Sequence, residues 1–439
     1  MNVRRIRATS LLALVLVTAL AVPPSYAYSV FTHEQLVDLA WAASIRPLLL
    51  ARFPGTTEAQ LREAHAYAYG GCLIQDIGYY PFGKDLFSDL THYVRSGDFV
   101  MALFRDARNV DEYAFAIGAL SHYLGDSIGH FQAINPATAV AFPNLEREFG
   151  PSVTYDESPH GHVRTEFGFD IGQLSKHQFA PPAYMQHLGF LVARRLLERA
   201  FRETYGIDVH GIFGRARPAL RSYRSSARSF IPEIAEAEVL LHARQFLPDE
   251  DDPAYRLFNQ RLARVDFERQ KRFSYEKPSF KTHLLAFVIR IVPKIGPLSL
   301  LAIKIPDRKT EEWYLESVNR TIDRYREMLD ELRASPKKEL ALANRDLDTG
   351  DGVKPGRYRR TDTTYAKLLD RLAKTPEASI SAELRRNILD FYSDPTSPIA
   401  TKKNAREWKK INVELEKLRA MKAVELAEIP TIAGEDDMR

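Results

Sequence analysis

Two short patterns of imidazole and carboxylate carry the chemistry legible in this 439-residue chain. The first is His122-x-x-x-Asp126-x-x-x-His130, inside Ser121-His122-Tyr123-Leu124-Gly125-Asp126-Ser127-Ile128-Gly129-His130. A step of four residues advances an α-helix by about 400°, so the three side chains share one stripe. At about 1.5 Å of rise per residue the stripe is roughly 12 Å long, too long for one ion, and three ligands there imply more than one metal. The second pattern, His162-x-x-x-Glu166, again puts a ring nitrogen and a carboxylate on one helical face. Such donors suit zinc or a related first-row ion. Taken singly, each pattern also fits a helix whose polar groups are satisfied by hydrogen bonds or by water. Taken together they favour metal.

The elements that must hold these residues are helices. Apolar residues recur at helical spacing and no run alternates with period two, so the expected fold class is all-α. Thr32-His33-Glu34-Gln35 reads as a capping-box start. Helices are expected at Glu58–Tyr69, Asp111–Ala133, Ala183–Tyr205, Leu220–Phe246, Ala254–Phe273, Glu311–Arg333, Tyr365–Lys374 and Asn404–Val424. Gly118, Gly125 and Gly129 each cost about 1 kcal/mol relative to Ala inside a helix, which calls for an offset: room for ions, for substrate, or for a close neighbouring helix. The loop Asp346–Arg360 lacks a calcium-loop ligand pattern and is expected to form an Asx-type turn.

Composition excludes several classes. With 45% hydrophobic residues the chain is globular, and a lone Cys72 permits neither a disulfide framework nor a thiolate zinc site. Residues 1–27 combine Arg4, Arg5 and Arg7 with the apolar run Leu11–Val22 and close on Ser25-Tyr26-Ala27, as a secretory signal peptide does. Cleavage after Ala27 removes three arginines and no acidic residue, taking the formal charge from +4 to +1 and leaving little electrostatic pull on nucleic acid. The expected destination is secreted or periplasmic. The acidic, proline-flanked stretch Pro248–Pro253 is expected to separate a histidine-rich half, 28–250, from a helical extension, 254–439, of unassigned role.

In the order of its His, Asp and Glu residues the chain resembles the zinc-dependent phospholipases C, which share an all-helical fold and three-zinc site with the single-strand-specific zinc nucleases. The resemblance covers roughly residues 28–200. It implies that Asp76, His92, His122 and Asp126 hold one zinc, that His130, His162 and Glu166 hold a second, and that the amino terminus of Tyr28, His33 and Asp126 hold a third, with Asp126 bridging. Here His130 follows Asp126 more closely than the family's His follows its Asp, Tyr28 replaces the usual Trp, and His160 stands two residues before His162 as an alternative to it. A terminal amine binds zinc only after the Ala27–Tyr28 bond is cut, so export would complete the third site.

Zinc lowers the pKa of a bound water to about 7 and neutralises charge on phosphorus oxygens, so the expected reaction is phosphodiester hydrolysis with Asp76 or Asp126 orienting the attacking water. Phospholipid is the expected substrate. A zinc nuclease and a metal-binding envelope protein without catalysis are the alternatives. Gly78-Tyr79-Tyr80-Pro81-Phe82-Gly83 supplies aromatic faces for a quaternary ammonium or a base, or for the core. Leu284–Ile305, apolar but broken by Arg290, Pro293, Lys294 and Pro297, is expected as a buried hairpin, or as a flap for peripheral membrane contact or over the site.

Overall fold

The structure, a computed structural model, describes residues 29–214, 216–242, 251–263, 277–294, 301–336, 340–375, 380–399 and 404–424, with 245 and 299 besides. The expected export signal and Tyr28 lie outside the described residues. The architecture is all-α, and the strands among the described residues are one short parallel pair, Ile380–Ser381 with Ala423–Val424. Its main helices are α1 (Val30–Ala40), α2 (Glu58–Gly71), α3 (Asp85–Tyr93), α4 (Ser96–Asp106), α5 (Val110–Gly129), α6 (Pro159–Ser175), α7 (Arg194–Tyr205), α8 (Ile231–His242), α9 (Phe280–Ile291), α10 (Arg308–Ala334), α11 (Arg359–Ala373) and α12 (Asn404–Ala420). No helix among the described residues is long and apolar enough to cross a membrane.

Helix α1 starts at Val30, two residues before the expected capping box. The cap comes from a distant helix: Asp170 of α6 accepts from the Phe31 amide at 3.0 Å and from the Thr32 hydroxyl at 2.6 Å. A carboxylate at a helix N-terminus satisfies open amides and complements the helix dipole, which moves the start upstream. Burial pushes the Asp170 carboxyl up to about 7. Helix α2 starts on the local rule instead, with a capping box between Thr57 and Gln60.

A close crossing of α2 and α5 answers the cost of Gly118. A Cβ on Gly118 would stand 2.0 Å from the Ala68 carbonyl oxygen, and one on Gly71 would stand 2.0 Å from that of Phe115. The two backbones touch at the level where α5 begins to present its ligand stripe. Gly118→Ala should therefore destabilise the protein by about 2 kcal/mol or more despite its better helix propensity, because backbone has to move. Urea unfolding measures this, and an unchanged or raised midpoint would show that the crossing is not tight.

Three expected helices are interrupted. Ala183–Tyr205 breaks at Gly189, whose φ of +90° ends one helix, after which the Leu191 amide donates to the Ala66 carbonyl. Leu220–Phe246 divides into Ala216–Ser225, a π-turn and α8. Ala254–Phe273 is helical over Pro253–Leu262, and 264–276 lie outside the described residues. Of Leu284–Ile305, expected as a buried hairpin, the part up to Ile291 belongs to the amphipathic helix α9, 301–305 run beside α6, and 295–298 and 300 lie outside the described residues.

Residues beyond 254 share the core with those before it. Helix α10 buries Tyr314, Val318, Ile322, Tyr325 and Leu329, and its Tyr325 hydroxyl donates to the Ile117 carbonyl of α5 at 2.9 Å. Helix α11 packs on α3 and α12 on α11. The largest apolar cluster holds residues from Val30 to Leu418.

Candidate metal centre

Four elements bring a buried polar group to one place. His33 comes from α1, Asp76 from the 3-10 turn Ile74–Tyr79 that follows α2, His92 from the end of α3, and His122 and Asp126 from the last turns of α5. All five are buried, with Asp76, His33, His122 and Asp126 fully so.

Their ring orientations are fixed by backbone. His92 Nδ1 faces the Ser88 carbonyl at 2.8 Å, and His122 Nδ1 faces the Cys72 carbonyl at 2.9 Å. A carbonyl accepts only, so each Nδ1 carries the proton and each neutral ring turns a lone pair at Nε2 inward. The two Nε2 atoms stand 3.2 Å apart. Around them lie Asp76 Oδ1, 3.4 Å from His92 Nε2, and Asp126 Oδ2, 3.3 Å from His92 Nε2 and 3.1 Å from His122 Nε2. Lone pairs facing lone pairs and carboxylates call for a cation between them. Zinc bound at about 2.0–2.1 Å to tetrahedral N and O donors sets those donors roughly 3.3–3.4 Å apart, which these separations approach. Only His122 Nε2 to Asp76 Oδ1 is wider, at 4.0 Å.

Asp126 faces both ways. Its Oδ2 meets the two rings just described, and its Oδ1 lies 3.3 Å from His33 Nε2. His33 stacks on His122 with ring centroids 4.3 Å apart. His33, His122 and Asp126 thus form a second donor group beside Asp76, His92 and His122. Tyr28, the other residue expected there, lies outside the described residues.

A third group forms where α5 gives way to the π-turn His130–Ile134. His130 is buried and its ring lies 4.9 Å from that of His162. His162 Nδ1 is 2.7 Å from Glu166 Oε1, and its Nε2 is 2.7 Å from Asn135 Oδ1. The carboxylate that joins the two histidines is Asp348, with Oδ1 2.7 Å from His130 Nδ1 and 4.0 Å from His162 Nε2. His130, His162 and Asp348 offer donor atoms within 4.8 Å of one another. His130 Nε2 and Glu166 Oε2 are buried with no hydrogen-bond partner, two further open donors. Glu166, expected to hold a metal with these two rings, stands on the other edge of His162.

The electrostatics describe a pocket that demands positive charge. Burial opposes a charge on His92, yet the Asp126 and Asp76 carboxylates outweigh it and push that ring up to about 10. His122 is raised by the same carboxylates against its burial. Burial likewise opposes ionisation of Asp126, but His122 and His92 hold it well below the usual carboxylate range. Burial and then His122 keep His33 neutral, and burial and then His130 bring His162 down to about 3, so both rings are available as donors. Burial, then Asp126, Asp76 and Asp348, push Glu166 well up.

His160 is exposed, with Nδ1 3.3 Å from the Ser299 hydroxyl, and so stands apart from the group that His162 joins. Cys72 contributes its backbone carbonyl and not its sulfur. Tyr80 is core, whereas Tyr79 lies beside His92 at 5.9 Å between ring centroids, and Tyr155 beside His162 at the same distance. The cation over Tyr79, Tyr93 and Tyr155 is the chain's own Arg360, which also pairs with Asp89.

Asp348 is the residue the sequence reading passes over. Asp346 Oδ1 accepts from the Asp348 and Thr349 amides, the expected Asx-type turn. That turn aims Asp348 inward, where the Tyr358 hydroxyl and the Tyr155 amide hold its Oδ2, while Oδ1, which the same amide reaches at 3.3 Å, faces the histidines. Asp348→Asn should weaken metal binding at the His130/His162 group by about 10- to 100-fold, whether the carboxylate touches the ion or holds the ring that does. Metal titration with the His92 group as internal reference measures it. Equal affinity in variant and wild type would remove Asp348 from the centre.

Residues 32–210 match the family described as zinc dependent phospholipase C. His33, Asp76, His92, His122, Asp126, His130, His162 and Glu166 fall inside the matched segment, and Asp348 falls outside it. No curated protein and no solved structure gives a significant match to the chain.

Proposed function

Because residues 32–210 carry a zinc-dependent phospholipase C family domain, we propose that the chain is an exported zinc phosphodiesterase that cleaves phospholipid head groups. The observation that carries this reading is Asp126, a buried carboxylate set between two adjoining donor groups, each completed by histidine ring nitrogens. Neighbouring zinc ions at such groups supply a nucleophilic water near neutral pH and neutralise charge on the phosphorus oxygens.

The chain's own groups do the positioning. The Ser88 and Cys72 carbonyls hold His92 and His122 in the donor tautomer. Asp76 has neither oxygen in a hydrogen bond, and with Asp126 it is the carboxylate placed to orient a water or take its proton. Arg360, seated on the tyrosine faces beside His92 and His162, puts a positive charge near the site and occupies the rings that would otherwise cradle a cationic head group. Anionic phospholipids are therefore expected to be cleaved better than phosphatidylcholine.

The test uses protein purified from the exporting cell, whose first residue is expected to be Tyr28. It is assayed on anionic phospholipid, on phosphatidylcholine and on single-stranded DNA, with and without chelator. Chelator-sensitive release of diacylglycerol supports the reading. Cleavage of DNA alone would make the chain a zinc nuclease, and a metal-loaded protein inert on all three would leave the centre a structural one.

A further inference from the structure

The described residues expose nine large apolar side chains, and four of them lie on one helix. Phe280, Leu284, Phe287 and Ile291 of α9 are 84%, 38%, 59% and 58% exposed. Their spacing of four, three and four residues puts them on a single stripe, within about 60° of one another at 100° per residue. The opposite face is spent: Ala286 and Ile289 are buried with Ala237 of α8, and half-buried Leu285 packs on them. Helix α9 therefore turns one apolar side to the protein and a second to solvent.

We propose that the outer stripe of α9 docks on an anionic lipid bilayer. Its charge selects that partner. From 277 to 294 the chain holds Lys277, Lys281, Arg290 and Lys294 and no Asp or Glu. About the helix axis Lys281 falls on one side of the stripe and Arg290 on the other, the arrangement of a helix that lies in the plane of a membrane interface. Lys281 pairs with Glu233 of α8 at 2.6 Å, which leaves Lys277, Arg290 and Lys294 as the basic groups for the lipid. A second copy of the same face would bring Lys277, Arg290 and Lys294 against like charges, since the segment 277–294 carries no acid of its own. Twelve residues span about 18 Å as a helix, too short to cross a bilayer and sufficient to lie on one.

The stripe is also connected to the metal centre. Helix α8, which carries α9, packs on α6, the helix of His162 and Glu166. The segment after α9 returns along α6, with the Lys304 amide donating to the Arg164 carbonyl at 3.1 Å and Arg164 Nε donating to the Ala302 carbonyl at 2.5 Å. Docking through α9 would hold the centre one helix away from the lipid face. Bilayer binding stands independently of the phosphodiesterase reading, and only its benefit to hydrolysis rests on that reading.

The experiment is vesicle flotation of the full processed chain, with phosphatidylcholine vesicles that contain or lack phosphatidylglycerol. The wild type should float with the anionic vesicles and lose that binding as salt is raised. Phe287→Ser/Ile291→Ser, at two solvent-facing positions, should reduce partitioning at least tenfold, and Arg290→Glu should reduce it severalfold. Both variants should keep the wild-type melting temperature and, if the phosphodiesterase reading holds, the wild-type rate on a soluble short-chain substrate. Absence of wild-type binding to anionic vesicles, or unchanged binding by the double variant, would overturn the proposal. So would a wild-type dimer in size-exclusion chromatography that the double variant dissolves, since the occupant would then be a second copy. A protein that binds vesicles without hydrolysing any substrate would leave docking in place and sink the proposed activity instead.

Discussion

Asp126→Asn should reduce phosphodiester hydrolysis by at least about 100-fold, since even partners that only support a ligand cost 10- to 100-fold when changed. One oxygen of Asp126 faces His92 and His122 at 3.3 and 3.1 Å, and the other faces His33 at 3.3 Å. An amide of the same shape keeps one oxygen and replaces the other with a donor that no cation accepts. Whichever way it turns, one of the two groups loses its shared ligand, and the loss of charge weakens both. Metal analysis of the purified variant should show depletion at two positions, whereas Asp76→Asn should affect one. Asp126 is fully buried, so the variant's helical content is checked by circular dichroism before its metal content is interpreted. A folded Asp126→Asn protein with wild-type metal content and turnover would end the claim that this carboxylate joins two sites.

The contrast between Asp126 and Asp348 shows what the sequence makes legible. His122, Asp126, His162 and Glu166 stand at four-residue spacing on two helices, and that periodicity is visible in a string of letters because helix geometry is local. Asp348 has no such periodicity. The Asx-type turn expected around it is present, yet the turn's job is to deliver a carboxylate to histidines more than 180 residues earlier, and no local rule encodes that destination. The same limit governs helix starts: Thr57 caps α2 with its own neighbours, while α1 is capped by Asp170 and so begins where no local signal puts it. The glycines of α5 call for ions, substrate or a close helix without choosing among them, and that Gly118 meets the Ala68 carbonyl is a fact of packing between two helices. In α9 an apolar run broken by Arg290 fits both a buried hairpin and a flap, and only the placement of α8 shows which side is left over.

Stripping the metals should cost the protein much of its stability, a larger effect than any single core substitution. The side-chain oxygens of Asp76 and Asp126 are buried without a hydrogen bond. Two such charges in the interior are expensive unless a cation compensates them. A metal that binds only the folded state, at about 1,000 times its dissociation constant, adds about 4 kcal/mol per independent site, so two sites add roughly 8 kcal/mol against a typical total of 5–15 kcal/mol. At roughly 2.1 cal/mol/K of unfolding entropy per residue, a fold of about 400 residues shifts by about 1 °C per kcal/mol, so chelation should lower the melting temperature by about 10 °C. Scanning calorimetry with and without a strong chelator measures the shift, with metal content determined on the same samples. Zinc should restore it and magnesium should not, because imidazole donors favour the former. The loss should be smaller in Asp126→Asn, which has less bound metal to give up. A fully demetallated protein that melts where the loaded one does would mean that the buried carboxylates are neutralised by protons at no cost, and that the centre contributes nothing to holding the helices together.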